Sequence, residues 1–128
     1  MSALLDTHAL LWWLFDDPNL PEAARAVIRQ PDNTIFVSSA SAWEIATKHR
    51  LGKLPEAGEA ARHLDTLVRE AAFTALPITL KHALAAGALP GPHRDPFDRM
   101  LIAQARLEGL PVITRDPIFH AYSTPVIW

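Results

Sequence analysis

A chain of 128 residues that is 49% apolar and 20% charged fits one compact domain, spanning residues 1–128, and this balance argues against disorder or a coiled coil. The absence of cysteine rules out disulfides and thiolate-bound zinc or iron–sulfur centres, and it fits a reducing compartment, with the cytoplasm as the default. With 12 Lys and Arg against 14 Asp and Glu, the net charge of −2 offers no global attraction to nucleic acid, so any polyanion must be held locally.

Ala3, Leu4 and Leu5 are consecutively apolar, as a strand covered on both faces must be, and the run stops at Asp6. A helix is expected from about Thr7 to Phe15. Its Leu10-Leu11-Trp12-Trp13-Leu14-Phe15 stretch is apolar around the whole circumference, so either the domain wraps it or Trp12 or Trp13 serves a partner interface. The stretch is too short to span a bilayer and has no basic residues before it, so it reads as neither signal peptide nor anchor.

Asp16-Asp17-Pro18-Asn19 is a turn, and Pro21 opens a second helix ending near Gln30-Pro31. Ile35-Phe36-Val37 is a second buried strand. Ser38-Ser39-Ala40-Ser41 leads from it into a helix over about Ala42 to Arg50, which carries Glu44. Lys48, His49, Arg50 and Lys53 form a basic cluster there, read as a solvated helix end or an RNA rim. A helix over about Glu59 to Ala72 has an apolar stripe of Leu64, Leu67, Val68 and Ala71; Phe73 to Leu76 follows as a third strand.

Thr79 can cap a short helix ending at Gly87, and Leu89 to His93 is a loop. Pro96 fits the first helical position after an Asp95 cap, with Gly109 closing the helix after Glu108. Val112-Ile113-Thr114 is a fourth strand ending at Arg115-Asp116, and Val126-Ile127-Trp128 is a short edge strand. Strands alternating with helices predict an α/β fold: a three-layer α/β/α sandwich around a central parallel sheet of four to five strands.

In such a sheet every strand ends on one edge, so acids placed just after strands, or early in the helices that follow, reach one crevice. Asp6, Glu44, Asp98 and Asp116 occupy such positions. Each has a local alternative: Ser41-x-x-Glu44 spells a capping box, Asp6, Asp95 and Asp116 can cap helices, and Asp98 can favour a helix dipole. Capping contributes only about 1 kcal/mol. Two ionised carboxylates about 5 Å apart at an effective dielectric near 20 repel by about 3 kcal/mol, so caps alone do not account for a cluster. A divalent cation reverses that balance, and an all-oxygen site suits Mg²⁺ or Mn²⁺. His8 and His93 lie near the same edge, where His93 is a candidate substrate contact.

Four segments carry a strong resemblance to the PIN-domain ribonucleases, and within them to the VapC-type toxins of bacterial toxin–antitoxin pairs. They are Leu4-Leu5-Asp6-Thr7-His8-Ala9, Ser38 to Ile45, His93 to Ala105, and Thr114-Arg115-Asp116. The resemblance implies that Asp6, Glu44 and Asp98 form the core acidic site with Asp116 as a fourth acid. Asp95 is either a cap, a ligand through water, or both. Thr114 matches a hydroxyl position near the family's site. The implied reaction is hydrolysis of RNA phosphodiesters with one or two bound metal ions. Arg94, Arg99 and Arg115 flank the acids, placed either to hold backbone phosphates or to pair with the acids. A homodimer is also implied, with an antitoxin whose C-terminal segment blocks the site.

Two rivals stand beside this reading. A receiver-like signalling domain also gathers acids at a sheet edge, but it wants a late lysine, and none follows Lys81. A catalytically idle PIN-like binding module is disfavoured by the complete acidic set.

Overall fold

In the computed structural model, which describes residues 1–128, β1 (Ser2–Leu5) turns directly into α1 (Thr7–Leu14). α2 (Glu22–Arg29), β2 (Thr34–Ser38) and α3 (Ser39–Arg50) follow, and one 3-10 turn at Pro55–Ala57 leads into α4 (Gly58–Glu70) and β3 (Thr74–Leu76). α5 (Leu80–Ala88), α6 (Pro96–Glu108), β4 (Val112–Ile113), α7 (Ile118–Ala121) and β5 (Val126–Ile127) complete the chain.

The five strands form one sheet in the order β3-β2-β1-β4-β5, and every pairing is parallel. β1 is therefore the central strand. The chain builds outward from β1 to β2 and β3, then crosses back to lay β4 on the other side, so the order reverses between β1 and β4. Such a reversal opens a crevice outside the carboxyl ends of those strands.

The sheet's period of two explains the layers. Ala3 and Leu5 enter one core with Leu10 and Leu11 of α1, Ala24 and Ile28 of α2 and Val68 of α4. Leu4 enters the opposite core with Ala40 of α3, Leu101, Ile102 and Ala105 of α6, and Phe119 of α7. All three β1 residues are fully buried, as an apolar run covered on both faces requires. The predicted three-layer α/β/α sandwich is the fold observed.

Three local differences bear on the site. α3 starts at Ser39 rather than near Ala42, because the Ser38 hydroxyl caps it by accepting from the Ala40 amide at 3.0 Å. Ser41 and Glu44 consequently lie inside α3, and the capping-box alternative for Glu44 does not hold. α7, a single turn between Asp116 and Thr124, was not expected, since one turn is too short to show a helical period. Finally, α1 is neither wholly wrapped nor free. Trp12 and Trp13 are half-buried against the first core, Trp12 tilted on Trp128 and Trp13 on Phe73, while Phe15 is exposed. No helix is long and apolar enough to cross a membrane.

Candidate active site

At the end of β1, Asp6 turns the chain into α1 and caps it, its Oδ1 accepting from the Ala9 amide at 2.7 Å. Its Oδ2 accepts from the Thr114 hydroxyl at the end of β4. The same Thr114 oxygen accepts the Asp116 amide at 2.9 Å, so a fully buried threonine ties the two acids together. Burial pushes the Asp6 carboxyl above its ordinary range, although the Thr114 hydroxyl, the Ala9 amide and His8 pull it down; Asp116 repels it.

Glu44 sits in the second turn of α3, buried, with Thr7 Oγ1 2.5 Å from its Oε1 and 3.0 Å from Ser41 Oγ. One hydroxyl proton cannot serve both oxygens, and the carboxylate is the stronger acceptor. Lys48, one turn further on, makes an ion pair with the other Glu44 oxygen. Partial burial disfavours the Lys48 charge, but Glu44, Asp95 and Asp98 outweigh it and raise the lysine above its ordinary value.

Asp95 caps α6 by accepting from the amides of Phe97 at 2.8 Å and Asp98 at 3.1 Å. Pro96 at the first helical position and Gly109 in the left-handed region after the last one frame this helix as expected. Asp98 then faces the crevice from the first turn, with His93 Nε2 2.9 Å from its Oδ2. Burial lifts the Asp98 carboxyl to about 6; the His93 bond opposes this, while Asp95, Asp116 and Glu44 repel the charged form.

One cavity of about 120 Å³ is lined by Asp6, Thr7, His8, Glu44, Lys48, Asp95, Asp98 and Asp116, with no apolar residue. The four acids predicted to converge do so, and Asp95, left open as a cap or a ligand through water, lines the same cavity. Their oxygens are held by Thr7, Lys48, His93, Thr114 and backbone amides, and no three acidic or histidine side chains stand in the geometry of a formed metal cluster. The donor set is nonetheless all oxygen and hard. It fits Mg²⁺ or Mn²⁺, ions that keep part of their water shell and take only some ligands directly.

The three arginines differ. Arg99 donates to the carbonyls of Ala86, Gly87, Leu89 and His93, which turns it into a brace for the loop before α6 instead of a contact in the crevice. Arg94 is exposed. Arg115 makes no ion pair, and its guanidinium lies 4.6 Å over the Trp12 ring.

Sequence reasoning missed the contacts of Thr7, Ser41 and Lys48 with the site, having read Ser41 as a helix cap and Lys48 as part of a solvated helix end or RNA rim. The signal available for Lys48 was its spacing of four from Glu44 on one helix face; Thr7 and Ser41 are joined only by the fold.

Residues 3–124 match the family model described as the PIN domain. The chain belongs to the PIN domain family. Among similar proteins, ribonuclease VapC22 of Mycobacterium tuberculosis is 28% identical over 125 residues, 97% of this chain and 94% of that PIN protein. Ribonuclease VapC16 of the same organism is 39% identical over 59 residues, covering 46% of this chain but only 40% of VapC16. Among solved structures, VapBC2 from Rickettsia felis bound to a promoter DNA fragment superposes with a TM-score of 0.68 at 17% identity, over 98% of this chain and 97% of the other. FitAcB from Neisseria gonorrhoeae gives 0.65 at 21%, over 98% and 96%. These structures share the PIN fold seen here.

Proposed function

We propose that this PIN domain is a metal-dependent endoribonuclease and the toxin component of a toxin–antitoxin pair. The observation that carries the reading is the apolar-free cavity in which five carboxylates from four separate stretches of chain meet. VapC22, similar over nearly the whole chain, is named a ribonuclease, which supports the same reaction class.

Asp6, Glu44, Asp98 and Asp116 are the residues that would hold Mg²⁺ or Mn²⁺, with Asp95 acting through water. When bound, the cation supplies charge neutralisation and a more acidic water. The chain's own groups do the rest. Thr114 fixes the direction of Asp6, His93 that of Asp98, and Thr7 that of Glu44. Arg94 and Arg115 are free to take backbone phosphates, which compensates locally for the net negative charge. Hydrolysis then breaks a phosphorus–oxygen bond with water as nucleophile, and no covalent enzyme intermediate is needed.

The partner reading follows from the structural relatives, whose names are those of toxin–antitoxin complexes. An antitoxin segment that covers the cavity would block it. A homodimer is part of the proposal, and α5 leaves Leu80 and Leu84 exposed one turn apart as apolar surface for a second copy. The cytoplasm is the proposed compartment.

The test is an RNA cleavage assay on purified protein with Mg²⁺ or Mn²⁺, with chelator, and with Asp6→Asn and Asp98→Asn. Cleavage that depends on the metal and is lost in both variants is expected. Cleavage indifferent to chelator and to both substitutions overturns the metal site, and RNA binding without cleavage under any divalent ion favours the idle binding module.

A further inference from the structure

Beside the carboxylate cavity lies a second one of about 270 Å³, lined by Asp6, His8, Trp12, Arg115, Asp116 and Pro117. It shares Asp6, His8 and Asp116 with the first, so the two adjoin along those residues. Its remaining wall is a planar cation on an aromatic ring. The Arg115 guanidinium lies over the Trp12 indole at 4.6 Å, while the rings of His8 and Trp128 tilt around the same indole at 5.9 Å and 5.8 Å.

Arg115 is exposed and beside an acid in sequence, yet it makes no ion pair or hydrogen bond; the Asp116 carboxylate instead accepts from the Ile118 amide at 3.0 Å. The cation is therefore oriented by an aromatic face while its N–H donors stay free. An arginine plane stacked on an aromatic ring, with donors outward, is the chemistry that receives an unpaired base and its phosphate. The cavity is at the small end for ligand sites, the scale of one nucleotide rather than of a protein segment.

We propose that Trp12 and Arg115, with His8 on the rim, form a nucleotide subsite that stacks one base of single-stranded RNA next to the cleaved bond. The proposal rests on the nuclease reading for the word cleaved, but not for RNA binding. Its energy comes from stacking, which tolerates any base, so the subsite positions the strand and biases it only by stacking strength.

The test uses a fluorescein-labelled 12-nucleotide RNA of mixed sequence and the full chain carrying Asp98→Asn, so that binding is read without cleavage. Adding Trp12→Leu or Arg115→Gln is expected to weaken binding about tenfold, while Trp12→Phe stays within about threefold. A second measurement moves a single abasic nucleotide along the strand. One position is expected to lose affinity against Trp12 and to lose nothing further against Leu at that position, a coupling that a purely structural tryptophan does not produce. Independent, additive losses overturn the subsite, as does unchanged RNA affinity in Arg115→Gln, an exposed position whose change leaves the core intact. If Trp12→Leu weakens only a protein partner, the surface belongs to that partner and the proposal fails. A chain that binds RNA through Trp12 but never cleaves it keeps the subsite and loses the nuclease.

Discussion

Thr114 and Asp6 stand 108 positions apart, and the hydroxyl of one donates to the carboxylate of the other. The bond crosses from the end of β4 to the end of β1, the two strands between which the sheet order reverses. Because Thr114 also accepts the Asp116 amide, it joins two acids that repel each other.

Thr114→Val keeps the shape and removes the hydroxyl, leaving a buried carboxylate oxygen and an amide without their partner. A stability loss of about 1–3 kcal/mol is expected, read by urea denaturation. RNA cleavage is expected to fall about 10–100-fold, because a positioning partner of a ligand-type carboxylate is lost. Thr114→Ser, which retains the hydroxyl, is expected to recover most of both. A valine variant with full activity would refute the positioning role.

The raised Asp98 carboxyl makes a prediction about pH. Its value in the folded chain is about 6 against an ordinary 3.8, so between those values the folded state binds more protons than the unfolded one. Stability from this group is present below about pH 4 and is lost as the pH rises through 6. Asp98→Asn keeps an oxygen for His93 and removes the charge. In chelator at pH 7 it is expected to stabilise the protein by about 1–2 kcal/mol, discounted for the partial exposure of the group. That gain is expected to vanish near pH 4 while cleavage is abolished at every pH. A gain that persists unchanged at pH 4 contradicts the electrostatic cause.

Lys48 places a cation among the acids without any ligand. Its ion pair with Glu44 and its proximity to Asp95 and Asp98 lower the repulsion in the cavity. Lys48→Gln is expected to cost about 1 kcal/mol in chelator, since one partner of a part-buried pair goes unmatched. The same change leaves the cavity more negative, so Mn²⁺ binding by calorimetry is expected to tighten several-fold. Weaker Mn²⁺ binding in this variant would mean that Lys48 supports the site in some other way.

The strands, their order of burial and the acids at their ends were legible because each depends on neighbours in sequence. Ala3-Leu4-Leu5 reads as two-sided burial, Asp95-Pro96 as a cap and first turn, and Gly109 as a left-handed stop, and all three stand so in the fold. What was not legible depends on groups brought together from a distance. Thr7 reaches Glu44 across 37 positions, and Lys48 turns inward only because Glu44 is there to receive it. Ser38 took the cap that Ser41 could have taken, since the helix begins at Ser39, earlier than the serine run suggested. Arginine is the hardest case, because the same side chain serves a phosphate or a carbonyl and only the fold decides between them.

Arg99 is that case, and it closes on the loop that carries His93. Four carbonyls between Ala86 and His93 converge on its guanidinium, holding the chain between α5 and α6 in one path. Gly91, at φ +98°, lets the loop pass Tyr122, whose hydroxyl would stand 2.8 Å from any Cβ there. Arg99→Lys keeps the charge but cannot fan its donors to four acceptors. It is expected to cost about 2 kcal/mol and to make the 89–94 segment the first site of limited proteolysis, with cleavage of RNA reduced through a loosened His93–Asp98 bond. If Arg99 instead held RNA phosphate, the same variant would leave the proteolysis pattern unchanged and raise the salt sensitivity of binding little, because a lysine can still meet a phosphate. The two outcomes separate a brace from a phosphate contact, and the geometry favours the brace.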